Sequence, residues 1–121
     1  MKSAQGNYYK GSFINGKHSG FGTKKWKNGA IYEGHWEDNK FQGFGFYLPP
    51  KRDKNFFGNY VQNKMEGFGV MEWTDGRKYR GFWKNDLKHG YGIQTNADGS
   101  TISSTWIDGK LHGFGVYVSQ S

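Results

Sequence analysis

Residues 31–45 read IYEGHWEDNKFQGFG, and this stretch decides the fold of the chain. Apolar residues or glycine alternate with polar residues from Tyr32 to Trp36, a polar segment follows, and a second apolar segment begins at Gly43-Phe44-Gly45. Alternation with a period of two is typical of a β-strand, and a polar segment rich in Asp and Asn between two such segments is typical of a hairpin turn. The stretch therefore predicts a β-hairpin.

This pattern recurs five times in the 121 residues, with the Gly-aromatic-Gly element stepping by 23, 24, 23 and 23 residues. Seven residues before each element stands one of the aromatic residues Phe13, Trp36, Tyr60, Trp83 and Trp106. Four residues earlier stands Tyr9, Tyr32, Phe56, Tyr79 or Ile102. Coincident registers indicate an internal repeat, and no segment shows the 3.6-residue period of a helix. We therefore predict an all-β protein, an elongated single-layer antiparallel meander of about five β-hairpin repeats.

The domain boundaries follow from these registers. Residues 1–7 form an N-terminal lead-in, and residues 119–121 form a tail. Between them, residues 8–118 divide into repeats at about 8–30, 31–54, 55–77, 78–100 and 101–118.

The composition indicates how such a sheet is packed. Only 34% of residues are hydrophobic, whereas 19% are aromatic and 20 are glycine, so rings over bare backbone must supply most of the buried surface. Side-chain parity puts Gly20 and Gly22 on one face, and both are expected to leave room for rings. The middle rings of the elements should form a separate ladder on the opposite face: Phe21, Phe44, Phe68, Tyr91 and Phe114.

These residues resemble the MORN repeat (membrane occupation and recognition nexus), whose pattern is Tyr-x-Gly-x-Trp, a turn with Gly-Lys, then His-Gly-x-Gly and Asp-Gly. The fourth repeat matches almost fully, from Tyr79-Arg80-Gly81-Phe82-Trp83 through His89-Gly90-Tyr91-Gly92 to Asp98-Gly99. The resemblance implies an open sheet that serves as a non-catalytic scaffold in cilia and flagella, in cytoskeletal structures or at membrane junctions. It implies that any catalysis in such proteins belongs to an appended domain.

Two repeats depart from the family pattern. Repeat three carries Phe56 and Tyr60 in place of Tyr and Trp, and it follows a longer loop at 49–53 that is expected to project. Repeat five carries Ile102 and Ser104 in place of Tyr and Gly. We expect the fifth repeat to form, with looser packing of its first strand.

No catalytic residue, metal or cofactor is predicted. A dinucleotide-binding glycine loop needs a following helix to place its N-terminus at the phosphates, whereas a strand pattern follows every Gly-aromatic-Gly element here. His89 and His112 share one column about 10 Å apart, without the further ligands that a zinc site needs. The absence of cysteine excludes disulfides and thiolate metal sites.

The ringed face is predicted to form a groove that binds a helix or an extended segment of a partner protein. Its expected lining is entirely aromatic and consists of Tyr32, Trp36, Tyr60, Trp73, Tyr79, Trp83 and Trp106. A column of lysines in the turns is expected to form a basic rim, made of Lys17, Lys40, Lys64 and Lys110. The formal net charge of +7 favours an acidic partner surface.

The last strand is predicted to pair with another chain. Residues 113–119 contain no charge and have high β propensity, whereas soluble proteins usually protect an edge strand with Lys, Pro or a bulge. Association with the same or a different chain by β-augmentation would use Phe114, Val116, Tyr117 and Val118.

The preferred interpretation is a scaffold or adapter for the proteins of a large cytoskeletal assembly. The sequence shows no signal peptide and no apolar run of membrane-spanning length, which favours the cytoplasm, and the resemblance suggests a ciliary or flagellar axoneme. The main alternative is a peripheral membrane adapter that binds anionic phospholipids through its basic edge. Binding of single-stranded nucleic acid is a third, less favoured possibility, because the rings recur where the fold itself needs them.

Overall fold

The computed structural model describes residues 6–119, which form one antiparallel sheet of ten strands. The strands lie side by side in the order of the sequence, without crossovers. They are β1 (Tyr8–Ile14), β2 (Lys17–Lys25), β3 (Ile31–Glu37), β4 (Lys40–Leu48), β5 (Lys54–Val61), β6 (Lys64–Trp73), β7 (Lys78–Lys84), β8 (Leu87–Thr95), β9 (Thr101–Ile107) and β10 (Lys110–Val118). Residues 1–5 of the lead-in and 120–121 of the tail lie outside the described residues. The predicted all-β meander is confirmed.

The described part of the chain contains no helix that is long and apolar enough to cross a membrane.

A two-residue turn closes each hairpin. Both turn residues have positive φ, from 47° at Gln62 to 86° at Gly109. Positive φ at both positions defines a type I′ turn, whose twist matches that of the flanking strands. Asn, Asp and Gly tolerate this left-handed region best, and they supply every turn residue except Gln62 in the pairs Asn15-Gly16, Asp38-Asn39, Gln62-Asn63, Asn85-Asp86 and Asp108-Gly109.

Longer turns at the other end of the strands join one hairpin to the next. In three of them a side-chain Oδ1 accepts a hydrogen bond from the backbone N–H two residues later, and these side chains are Asn28, Asp75 and Asp98. The loop before β5 is exposed, but it is also tied down on both sides. The guanidinium of Arg52 donates to the carbonyl of Gly29 at 3.0 Å, and the N–H of Thr74 donates to the carbonyl of Asp53 at 3.0 Å.

One face of the sheet carries the core, and we call it the ring face. It is formed by the two columns of large residues found in the sequence: Tyr9, Tyr32, Phe56 and Tyr79 in one, and Trp36, Tyr60, Trp83 and Trp106 in the other. Edge-to-face contacts run from repeat to repeat, since the Tyr32 ring lies 5.0 Å from Trp36 and 5.5 Å from Tyr60 between centroids. Such contacts add to the stabilisation from burial alone.

The opposite face, which we call the back face, carries the exposed middle rings of the Gly-aromatic-Gly elements. The predicted ladder among these rings is wrong in one respect, because they contact cross-strand neighbours rather than each other. Phe21 lies 5.9 Å from His35, and Phe68 lies 6.0 Å from Phe82, between ring centroids. Equivalent rings of successive repeats are two strands apart, which is too far for contact.

The two glycines of each element have different roles, which corrects the prediction that both make room for rings. Gly20 has a φ of 79° and lies in a β-bulge between β1 and β2, where a Cβ would meet Ser12. The bulge interrupts side-chain alternation, so Gly20 and Gly22 face different neighbours. A Cβ on Gly22 would collide with the ring of Tyr9. Only the second glycine therefore makes room for a ring.

The hairpin turns fasten each repeat to the preceding one. The side chains of Asn39, Asn63 and Asp86 accept hydrogen bonds at 2.7–2.8 Å from backbone N–H groups of the repeat before. The N–H of each of these turn residues donates back to the carbonyl of the same strand residue, at 3.0 to 3.2 Å. We call this reciprocal pair a turn clamp. Gly109 has only the backbone half, a 2.8 Å bond to the carbonyl of Lys88.

Repeat five fills the space of the missing tyrosine in another way. Ser104 is buried, and its hydroxyl donates to the carbonyl of Phe114 at 3.1 Å. In repeat four, Gly81 is directly opposite Gly92, but Ser104 and Gly115 are not a register pair. Every hairpin ladder is interrupted by a bulge, and in β9–β10 the interruption includes Ser104, so the looser packing expected of the first strand stays a prediction.

Candidate partner-binding groove

A cavity of about 490 Å³ opens on the ring face. Its walls are the partly exposed side chains of Trp26, Phe41, Tyr47, Pro49 and Met65, and buried side chains of β5 and β6 form its floor. The Trp26 and Phe41 rings lie 6.0 Å apart, and Phe41 and Tyr47 lie 6.2 Å apart, between centroids. Cavities of about 300–1,000 Å³ with mainly apolar walls are typical of binding sites. This one is large enough for a bulky side chain of a partner.

A column that sequence reasoning missed supplies much of the accessible surface on the ring face. The column consists of the second residue of each even-numbered strand, and in repeats one, two and four this residue covers the large residue in the first strand of the same hairpin. His18 stacks on Tyr9 at 3.6 Å and Phe41 stacks on Tyr32 at 3.8 Å, with almost parallel rings. We call these residues the cap column, which is His18, Phe41, Met65, Lys88 and Leu111. Its spacing is regular, but its chemistry varies, so only position and not residue type could have revealed it.

Six of the seven predicted groove residues lie in the core beneath this surface. Tyr32 and Tyr79 are 0% exposed, and Trp36, Tyr60, Trp83 and Trp106 are 6% exposed at most. Of these six, Tyr60 lines the floor of the cavity, and the other five support the groove from below. Trp73 is partly exposed and offers surface directly. Binding of a partner on this face stays a prediction.

Repeat four adds a positive charge to the ring face. The Nζ of Lys88 lies 5.0 Å from the centroid of Tyr79 and 5.7 Å from that of Trp73, and it donates to Oε1 of Gln94 at 2.7 Å. Burial lowers the pKa of Lys88, and the nearby Arg77 lowers it further. Burial also raises the pKa of Tyr79 to about 12, so its hydroxyl stays a donor, bonded to the carbonyl of Phe82.

His18 makes the first repeat sensitive to acid. Burial lowers the pKa of His18, the charge of Lys24 lowers it further, and Nδ1 is buried without a hydrogen-bond partner. Because the pKa is lower in the folded state, the unfolded chain binds more protons, and stability falls as the pH drops below about 6.5, the ordinary pKa of histidine. We expect His18→Phe, which copies the stack of Phe41 on Tyr32, to reduce this loss. Urea unfolding at pH 8 and at pH 5 measures it.

The control for this experiment is His35→Phe, on the exposed back face. It is expected to leave the difference between the two pH values as in the wild type. The same pH dependence in wild-type protein and His18→Phe would show that His18 is not responsible.

The predicted basic rim is exposed beside the hairpin turns, at one end of the strands. Lys17, Lys40, Lys64 and Lys110 are the first residues of four even-numbered strands, and Leu87 takes the equivalent place in β8. The adjoining turns contain the carboxylates of Asp38, Asp86 and Asp108. The rim therefore carries charges of both signs rather than a uniform positive field.

The predicted edge residues are accessible. All of β10 is exposed, and Phe114, at 103%, is fully exposed. Val116, Tyr117 and Val118 are also exposed, and β10 is paired only with β9 among the described strands. Within residues 6–119, no three His, Cys, Asp or Glu residues are grouped so that they could hold a metal ion.

This geometry defines the class of the protein: an open antiparallel sheet of repeated hairpins with one face packed by aromatic rings. The model of the MORN repeat family matches five consecutive segments, residues 9–31, 32–49, 56–76, 79–101 and 103–121. The chain belongs to the MORN repeat family. The repeats of this family generally serve as scaffolds for interaction with proteins or membranes, and they are not typically catalytic.

Proposed function

We propose that this chain is a non-catalytic scaffold or adapter that binds a segment of a partner protein along the ring face. The observation that supports this most is the cavity between Trp26, Phe41 and Tyr47, where partly exposed rings surround a concave site. Single exposed rings are common on protein surfaces, whereas a concave cluster of them is typical of an interaction site. No part of the proposal requires a cofactor or a catalytic residue.

The charges on the ring face suggest the chemistry of the partner. Lys24 lies 5.1 Å from the Trp26 ring, at the cavity, and Lys88 lies over Tyr79 further along the same face. A helix or extended segment with one large apolar side chain for the cavity and acidic residues beside it would match this surface. The net charge of +7 would speed the encounter with such a segment.

The test compares two arginine substitutions of aromatic residues on opposite faces. Tyr47→Arg places a charge in the cavity wall, whereas Phe44→Arg changes an exposed ring of the back face. In affinity purification from ciliated cells, Tyr47→Arg is expected to lose co-purified proteins that Phe44→Arg retains, with both variants folded by circular dichroism. Equal recovery with both variants would contradict a groove on the ring face.

We place the complex in the cytoplasm, on the cytoskeleton, in a ciliary or flagellar axoneme, by analogy with the family. A fluorescent fusion in ciliated cells is expected to follow the axoneme and to remain there after detergent removes the membrane. Diffuse fluorescence that is lost on detergent extraction would contradict this location.

Binding of anionic phospholipid is the second candidate, supported by the exposure of the lysine rim. The carboxylates of the same turns weaken this interpretation, because they reduce attraction to a negative surface. Flotation with phosphatidylserine vesicles that is lost on adding salt would support a membrane adapter, because salt screens such attraction. Absence of flotation at low salt would exclude it.

A further inference from the structure

Both edge strands of the described sheet expose large apolar side chains. β10 exposes Leu111, Phe114 and Val118, and β1 exposes Phe13 and Ile14. Neither strand has a second neighbour among residues 6–119. Apolar edge strands invite pairing with other strands, so the question is which strand fits each edge.

The junctions inside the sheet define what fits. At every junction between repeats, the second strand of one hairpin pairs with the first strand of the next. At the first of them, Gly22 is opposite Gly34 and Lys24 is opposite Tyr32. The junction between repeats two and three keeps this register, with Tyr47 opposite Phe56. At three of the four junctions, an even-numbered strand therefore accepts a strand with a large residue two positions before a glycine, and at the fourth Ser104 takes the place of the glycine.

We propose that β1 of one copy of this chain pairs with β10 of a second copy, so that two sheets join head to tail. In the register of the internal junctions, Gly11 lies opposite Gly115, Tyr9 opposite Tyr117, and Lys10 opposite Val116. Tyr117 takes the place of Tyr47, and Tyr9 that of Phe56. No like charges meet in these three pairs, and apolar side chains of both edges become covered.

The turn clamp supplies a second match. Gly109 reaches the carbonyl of Lys88 through its backbone N–H alone. Gly16 is the equivalent residue of the first hairpin, and Leu111 is the equivalent of Lys88. The N–H of Gly16 in one copy would therefore donate to the carbonyl of Leu111 in the other. Pairing of β10 with β10 of a second copy would not reproduce these matches. It would place no hairpin turn at the carbonyl of Leu111, and it would not supply the large residue of an odd-numbered strand.

Head-to-tail pairing uses different surfaces on the two copies, so it does not close on itself after two copies and allows further copies to add. Each copy carries a net charge of +7, which opposes association. Added salt screens this repulsion, so association is expected to strengthen with salt. The junction lies at the sheet edges, outside the cavity of the proposed groove, so either proposal can fail without the other.

Cysteine cross-linking tests the register directly, because the chain contains no cysteine. The substitutions are Lys10→Cys and Val116→Cys in separate chains. They copy the internal pair of Thr23 and Glu33, whose side-chain oxygens lie 3.1 Å apart. Under mild oxidation, the mixture is expected to give a disulfide-linked dimer that neither variant gives alone.

The matched control is Phe114→Cys mixed with Lys10→Cys. Phe114 lies two residues from Val116 in the same strand and would face Ser12 rather than Lys10. This mixture is expected to cross-link less than the in-register pair. Equal cross-linking of the two mixtures, or dimers of Val116→Cys alone at the same yield, would overturn the proposal.

Sedimentation equilibrium of the unmodified chain tests the association itself. The average mass is expected to rise with concentration, and Val116→Lys, which would face Lys10, is expected to remain monomeric. A constant monomer mass at all concentrations and salt levels would also overturn the proposal.

Discussion

Gly81→Ala is expected to destabilise the protein by about 3 kcal/mol, the upper end of the usual range for an overpacked site. A Cβ at Gly81 would lie 2.5 Å from the Cα of Gly92, 2.6 Å from the carbonyl oxygen of Tyr91 and 2.8 Å from the hydroxyl of Tyr79. The first two atoms belong to the backbone of β8, which is hydrogen-bonded to β7 and β9. Relief therefore requires the strands to separate. Urea unfolding followed by tryptophan fluorescence measures the loss.

Gly16→Ala is the matched control. Gly16 has a φ of 78°, and nothing lies within 4 Å of the position of its Cβ. Alanine there is expected to cost about 1 kcal/mol, the cost of the left-handed conformation alone. Equal losses at Gly16 and Gly81 would show that the close approach of the strands has no energetic consequence.

Repeat five suggests a compensating change. Transferring Ile102 and Ser104 to repeat four gives the double variant Tyr79→Ile with Gly81→Ser. It is expected to be more stable than Gly81→Ser alone, because isoleucine removes the contact with the Tyr79 hydroxyl, although the contacts with the backbone of β8 remain. Recovery should be incomplete, since β8 is held on both sides whereas β10 is paired on one.

Trp83→Ala is expected to destabilise the protein by about 3–5 kcal/mol, the usual cost of removing a buried tryptophan. The ring of Trp83 lies 5.3 Å from Phe56 of the preceding repeat and 5.2 Å from Tyr79 of its own. Its Nε1 donates to the carbonyl of Gly69 at 3.2 Å. The substitution would therefore remove the side-chain packing between repeats three and four, while the β6–β7 ladder and the turn clamp of Asp86 remain. Thermal and urea unfolding measure the effect, and recovery of partners is expected to fall as well.

Two further substitutions serve as comparisons for Trp83→Ala: one keeps most of the buried ring, and the other removes an exposed ring. Trp83→Tyr copies Tyr60 in the preceding repeat, and it is expected to cost less than Trp83→Ala because most of the ring remains. Phe82→Ala removes an exposed ring of the back face and is expected to change stability by no more than about 0.5 kcal/mol. Unchanged unfolding of Trp83→Ala would contradict the role of this column in the core.

Much of the fold could be predicted because the same local sequence pattern occurs five times. Alternation from Tyr32 to Trp36 set the first strand, and pairs such as Asp108-Gly109 set the hairpin turns, since few residues adopt positive φ without strain. The strict spacing of the Gly-aromatic-Gly elements then fixed the strand order. These are local properties, and local properties can be read from a sequence.

The roles that depend on two strands at once could not be predicted. Gly20 and Gly22 look alike in the sequence, and only the bulge opposite Ser12 separates their functions. Size and aromatic character predict the groove residues from the sequence, but in a single-layer sheet the largest rings are also the ones that fill the core. Tyr32 is covered by Phe41 from the neighbouring strand, a relation that nothing in either segment reveals alone.

The turn clamps differ along the sheet, and this difference determines which end of the sheet frays first. Two clamp hydrogen bonds join each of the first three pairs of neighbouring repeats, whereas a single bond joins repeats four and five. The last repeat has no successor in the described sheet and is attached through the incomplete clamp of Gly109. In an array where stability is a sum of nearest-neighbour terms, fraying then begins at that end. Amide exchange should accordingly slow from β10 toward the middle of the sheet, and a strand bound to β10 would suppress opening at that end.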